Sequence, residues 1–167
     1  MKYMRLNHQQ QRDFLAELES MVDFLETAFS GMTAAQRACN GPDGSFSPIE
    51  QVWHLADLER EGFARRIERL LQEAHPQLAD FDGAGIARAG NYKQRDWQQG
   101  LDEFRRSRGD NVSILRGLNP EQWLRRGIQQ GVGAVSLCDM PELMAQHDDS
   151  HRAEVEQWLE WQRNETT

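Results

Sequence analysis

Cysteine is scarce. Cys39 and Cys138 are the only two in 167 residues, too few for a disulfide framework and too far apart for a thiolate metal site, so both read as structural and a reducing cytoplasm is the expected setting. Positive charge is also short. With 19 lysines and arginines against 27 aspartates and glutamates, the formal net charge is -8 and the pI near 5.1, which gives no electrostatic footprint for nucleic acid or an anionic membrane. Long hydrophobic runs are missing: none approaches the roughly 20 apolar residues of a membrane span, and the opening MKYMRLNHQQQRDF lacks the apolar core of a secretory signal. No internal repeat, low-complexity tract or alternation of strand and helix patterns is present. What remains is a soluble, unexported chain, read as one domain over 1–167 and long enough for a full core.

Against those absences stand four amphipathic stretches. Over residues 7–32, Phe14, Leu18, Met21, Leu25, Ala28 and Met32 recur at spacings of four and three, which predicts one helix. Ser47, Pro48 and Glu50 form a start signal, with a serine N-cap, proline at the first helical position and a capping-box glutamate. The second helix is predicted over 48–73. Its main stripe is Ile49, Val52, Trp53, Ala56, Phe63, Ile67 and Leu70, while Leu55, Leu58 and Gly62 form a second strip; two apolar sides on one helix predict burial on both and a homodimer. Residues 75–92 carry Pro76 and three glycines and read as a long connection with at most short helical turns, able to cross the end of a bundle. Trp97, Leu101, Phe104, Val112, Leu115 and Leu118 mark the third helix. Residues 125–136 read equally as a loop or a small hairpin. A second capping signal at Asp139 and Glu142, with Ser136 as an alternative cap one turn earlier, opens a last helix reaching about residue 162. The fold class expected is an all-α bundle of four main helices.

In that last helix Met140, Met144, His147, His151, Val155 and Trp158 share one stripe, so two imidazoles occupy positions reserved for core residues. Positions four apart differ by about 40° on the wheel and bring their Cβ atoms within about 5–6 Å. Both rings can therefore reach one ion, whereas two neutral imidazoles in an apolar core would each need a hydrogen-bond partner. Three readings are open at this point: metal ligation, hydrogen-bonded core histidines, or a surface accident. A zincin protease is disfavoured because Asp148, not glutamate, follows His147. A third ligand has to come from another helix, and His54 is the candidate, since His8 and His75 fall at a helix start and in a loop. On a straight wheel, however, His54 falls toward Leu58 and away from the Ile49, Ala56 and Phe63 stripe.

FSPIEQVWHLADLE, followed at long range by HDDSH in the final helix, resembles the DinB-like (DinB/YfiT) family of metal-binding four-helix bundles. YKQRDWQQGLDEFRRSRGDNVSILRGL and GVGAVSLCDMPELMAQHDDSHRAEVEQW are similar to that family's third and fourth helices, so the resemblance covers nearly the whole chain. It implies an up-down-down-up bundle with a long crossover between helices 2 and 3. It also implies one divalent metal ion on His54, His147 and His151, with positions left open, and a second helix that turns its Leu58 side toward the site.

Three neutral imidazoles accept zinc, nickel, iron(II) or manganese, and donor softness does not separate them. An ion with open positions activates a water or a thiol. Relatives in the family act as thiol-dependent S-transferases and isomerases, so the resemblance implies a metal-dependent enzyme of transferase or hydrolase type on a small-molecule substrate such as a low-molecular-weight thiol. The competing expectation is a non-catalytic metal-binding or stress-response protein whose ion is structural or sensed. Asp57, Glu61, Asp148 and Glu154 are candidates to orient an imidazole through its second nitrogen, although a solvated helix face is the commoner role. Trp53, Trp97 and Trp158 read as core. Arg125 and Arg126 are weak candidates for an anionic substrate group.

Overall fold

Of the two helix starts read from the sequence, the Ser47–Glu50 box forms as expected, and at the last helix Ser136, the alternative to Asp139, is the capping residue. In the computed structural model, which describes residues 6–165, helix α1 (His8–Ala28) begins at Asn7, whose Oδ1 accepts the Gln9 and Gln10 N–H groups at 2.9 Å each. The second bundle helix starts at Pro48, and the Glu50 carboxylate accepts the Ser47 N–H at 2.9 Å. A short α2 (Ala34–Arg37) precedes it, capped by Thr33. The third and fourth bundle helices are α6 (Trp97–Arg116), capped by Asp96, and α8 (Met140–Glu165), entered through a 3₁₀ turn in which the Asp139 carboxylate accepts the Ser136 N–H at 2.6 Å. A four-residue α7 (Pro120–Trp123) links the last two.

Cross-helix contacts fix the direction of each helix. Along the second helix and α6, Trp53 Nε1 donates to Asp96 O at 3.1 Å and Asn111 Nδ2 to Glu59 O at 3.1 Å; residue numbers rise together, so the two run parallel. Arg105 meets Glu26 at 2.8 Å and Arg116 meets Glu19 at 3.1 Å, so α6 is antiparallel to α1. Arg152 bonds Ser20 at 3.0 Å and Trp158 stacks edge-on against Phe29, so α8 is parallel to α1. Up-down-down-up follows, with parallel helices 2 and 3 joined by the long crossover that such a pairing requires.

That crossover holds more structure than its sequence promises. It contains β1 (Gln77–Leu78), an eight-residue α5 (Gly83–Gly90) capped by Asp82, and a 3₁₀ turn at Tyr92–Gln94. The ambiguous residues 125–136 resolve as a hairpin. Strands β2 (Arg126–Gln129) and β3 (Gly133–Ser136) pair antiparallel, with Ile128 opposite Ala134, and β1 adds to β2 in parallel. Gly131 and Gly133 adopt φ of 76° and 101° at the turn, values that a side chain would strain. The sheet is a small cap on an all-α bundle. Among the described residues, no helix is long and apolar enough to cross a membrane.

The second helix is not a straight α-helix. Helix α3 (Pro48–Asp57) passes into a π turn over Leu58–Phe63 and only then into α4 (Ala64–Gln72), with the Ala64 N–H donating to Glu59 O, five residues back. One extra residue in the turn shifts everything after it by about 100° on the wheel. Phe63, Ile67 and Leu70 thereby move off the Ile49–Ala56 side and join the Leu58 side, the one carrying His54. The core divides accordingly. Leu58, Phe63, Ile67 and Leu70 pack with Leu18, Leu115 and Met144, while Ile49, Val52, Leu55 and Ala56 pack with Met21, Leu25, Phe104 and Val155. Both apolar strips are thus covered inside one chain, where Leu55 is 1% exposed and Leu58 4%. The homodimer read from two strips on a straight helix loses that ground.

Candidate metal centre

Between the two apolar clusters lies a polar layer, and the three histidines are in it. His54 comes from the last turn of α3, His147 and His151 from one face of α8. One donor nitrogen from each lies within 4.8 Å of the others. The Nε2 atoms of His147 and His151 are 3.3 Å apart, and the His54 ring centroid is 5.7 and 4.9 Å from those two rings. Burial holds the His54 pKa down to about 4, with His151 beside it adding to the effect. Burial again, with His151 and His54 as neighbours, lowers His147 to about 3. Both rings are neutral at physiological pH, with lone pairs free to bind. Nδ1 of His54 and Nδ1 of His147 are buried without hydrogen-bond partners. Such a cluster is costly as a plain core and fits a cation between its rings. Among the described residues, no cysteine or carboxylate joins these three as a fourth donor.

The residue that sequence reasoning missed is Gln51. It is 2% exposed, one turn before His54 on α3, and its Oε1 lies 2.5 Å from His151 Nδ1. An amide oxygen only accepts, so this contact puts the His151 proton on Nδ1 and leaves Nε2 free for the site. The Gln51 amide is itself held, with Nε2 donating to Glu154 Oε2 at 2.7 Å, and that carboxylate lies 3.4 Å from His151 Nδ1. Glu154 thus orients an imidazole, mainly through Gln51. The only sequence signal was a glutamine one turn ahead of a candidate ligand.

The other three carboxylates are engaged elsewhere. Asp57 accepts from Tyr92 Oη at 2.7 Å and from Arg60 Nη2 at 2.7 Å, tying the crossover to the second helix. Glu61 is on the surface and accepts from Arg60 Nε at 2.9 Å. Asp148 adjoins His147 in sequence but points about 100° away from it, into a buried ion network. Arg108, 2% exposed, reaches Asp148 through two bonds of 2.6 and 2.9 Å, Leu18 O at 2.8 Å and Glu59 Oε1 at 2.8 Å. Burial pushes the Glu59 carboxyl up, against the pull of Arg108. The Arg125 guanidinium caps the end of α4, bonding Leu70 O at 2.6 Å and Glu73 O at 2.8 Å. Arg126 is exposed on β2. Trp53 and Trp158 are buried as expected, and Trp97 packs edge-on against Phe29.

Two of the histidines open onto a cleft. His54 and His147 form one wall of a cavity of about 250 Å³, with Phe63, Arg66, Phe81 and Gln129 among its other sides. The crossover makes the lid. A Cβ on Gly83 would come within 2.6 Å of His54 Cε1, so the chain passes over that imidazole at a distance only glycine permits.

The comparisons with known proteins follow this geometry. No curated protein matches the sequence. A solved structure, YfiT from Bacillus subtilis, superposes with a TM-score of 0.83 over 99% of this chain and 94% of its own, at 21% sequence identity. It is described as "a probable metal-dependent hydrolase with an unusual four-helix bundle topology". At that identity the likeness is one of fold. The model of the DinB superfamily matches residues 14–155, which reaches into all four bundle helices and takes in the π turn and the three histidines. The chain belongs to the DinB superfamily.

Proposed function

We infer that this protein is a metal-dependent enzyme in which one divalent ion on His54, His147 and His151 activates a water or a small thiol, for hydrolysis or S-transfer. One observation carries this reading: His54, His147 and His151 bring donor nitrogens within 4.8 Å of one another, two of the rings line a cleft, and among the described residues no cysteine or carboxylate joins them, whereas a structural zinc site is ordinarily closed by four ligands. The likeness to a structure described as a metal-dependent hydrolase supports it. Zinc, nickel, iron(II) and manganese all suit the donor set. Bound there, such an ion supplies Lewis acidity, lowering the pKa of a water or thiol in its open positions.

The chain's own residues do the rest. Gln51 and Glu154 hold His151 in the tautomer whose Nε2 faces the site. Phe63 and Phe81, both in the lining of the cleft, limit the water around the reacting group.

Elemental analysis of protein purified without an affinity tag is expected to give close to one divalent ion per chain. A panel of low-molecular-weight thiols with electrophilic acceptors, and of simple amides and esters, is expected to show metal-dependent turnover that His151→Ala abolishes. Full metal occupancy without turnover across the panel would leave a binding or sensing protein.

A further inference from the structure

Among the described residues, the bundle buries two arginines, Arg66 and Arg108, and treats them differently. Arg108 meets two carboxylates and a carbonyl. Arg66, on α4 one turn beyond Phe63, is 8% exposed, and its guanidinium lies over the Phe63 ring at 5.6 Å. Among the described residues, its ion-pair partner is Asp80 Oδ1, at 3.8 Å. That separation is longer than a hydrogen bond, and the Asp80 side chain is 71% exposed. A buried guanidinium has five N–H donors to satisfy and cannot shed its charge, so Arg66 is short of partners. It lines the same cleft as His54 and His147, and so does Gln129, 7% exposed, whose Oε1 has no hydrogen-bond partner. The one carboxylate in the lining of that cleft is the largely exposed Asp80.

From this we propose that Arg66 is the anchor for a carboxylate on the substrate, with Gln129 accepting from an N–H or O–H beside that carboxylate, so that the cleft takes small thiol or hydroxy acids rather than neutral thiols or alcohols. A planar guanidinium pairs with a carboxylate through two parallel bonds. At about 250 Å³ the cavity falls just below the usual 300–1,000 Å³ of ligand sites, a size for a small acid and not for a nucleotide. The thiol half of this assignment rests on the metal reading above; the carboxylate half does not.

The test uses the full chain loaded with cobalt(II), titrated with 3-mercaptopropionate and with 3-mercaptopropan-1-ol while the cobalt–thiolate absorption is followed. The acid is expected to bind about tenfold tighter, the scale of one partly screened charge-assisted pair. Arg66→Gln should erase that preference and leave the alcohol's affinity within about twofold. Equal affinities in the unmodified protein, or a preference that survives Arg66→Gln, would overturn the proposal.

A second arm needs no metal. In metal-free protein, propionate but not propanol should shift the Arg66 Nε–H resonance, lactate should bind tighter than propionate, and Gln129→Leu should remove the lactate advantage. If neither thiol ligates cobalt while propionate still shifts that resonance, the metal–thiol reading fails and the carboxylate subsite stands. No shift with propionate sinks the subsite, whatever the cobalt spectra show. Helical circular dichroism and melting temperature verify that each variant is folded.

Discussion

An amide sets how one of the three imidazoles is presented to the site. Gln51 fixes a proton on His151 Nδ1, and loss of such an orienting partner ordinarily costs about 10–100-fold in metal affinity. Gln51→Leu is therefore expected to weaken binding by that factor in a competition titration with a chelator, while His147→Ala should strip the ion altogether in elemental analysis. The depressed histidines also set a pH dependence. With folded values of about 4 for His54 and about 3 for His147 against roughly 6.5 in the unfolded chain, the unfolded state binds more protons as pH falls through that window. Stability therefore drops with acid, by about 1.4 kcal/mol per pH unit for each histidine. The metal-free melting temperature should fall steadily from pH 6.5 toward pH 4, and His147→Ala should flatten the slope. Residue types alone gave the paired histidines, because spacing of four on an apolar stripe is visible in any sequence. They did not give Gln51, since a glutamine in a helix ordinarily faces water, and they misdirected Asp148, whose neighbour in sequence is not its neighbour in space.

The π turn is the element on which the site depends. Caps and apolar spacing made all four bundle helices legible, including the Ser47–Glu50 start. His54 was misplaced on a straight wheel because the wheel assumes 3.6 residues per turn throughout, and its place came from the family resemblance instead. Removing the extra residue should show this directly. Arg60 lies in the turn with its side chain 42% exposed, so its own ion pairs contribute little. Deleting it would rotate Phe63, Ile67 and Leu70 by about 100° out of their cluster. The expected outcome is loss of cooperative melting by circular dichroism, where Arg60→Ala changes stability by less than about 1 kcal/mol. The hairpin stayed undecided against a loop, and α5 was read as at most a short turn, for a different reason: each is short, and the hairpin is completed by β1, a strand about fifty residues earlier in the chain.

At the scale of the molecule, the two apolar clusters bury enough to hold the bundle without an ion. Chelator-treated protein is expected to keep its helical signal at room temperature and to melt a few degrees lower; collapse of that signal would mean an ion that staples the fold. With both strips of the second helix covered, a homodimer has no support left in the apolar pattern, and static light scattering giving the mass of one chain at micromolar concentration would remove it. Breaking the charged network with Arg108→Met should cost about 3–5 kcal/mol in chemical denaturation, because Glu59 and Asp148 remain buried without their cation.

That network also bears on how fast the chain folds and how long it stays folded. Arg108 joins residues separated by 90 and 40 positions in sequence, so its bonds close only after all four helices have docked, the fourth after the whole crossover. Contacts of such long range cost loop-closure entropy before they are rewarded, so the Arg108 bonds are expected to form after the folding transition state. Arg108 acts, on this account, as a latch: Arg108→Met should leave the refolding rate within about twofold and speed unfolding by most of the lost stability. Stopped-flow refolding and manual-mixing unfolding would resolve the two, and the lifetime of the native bundle would be set by one arginine that touches neither metal nor substrate.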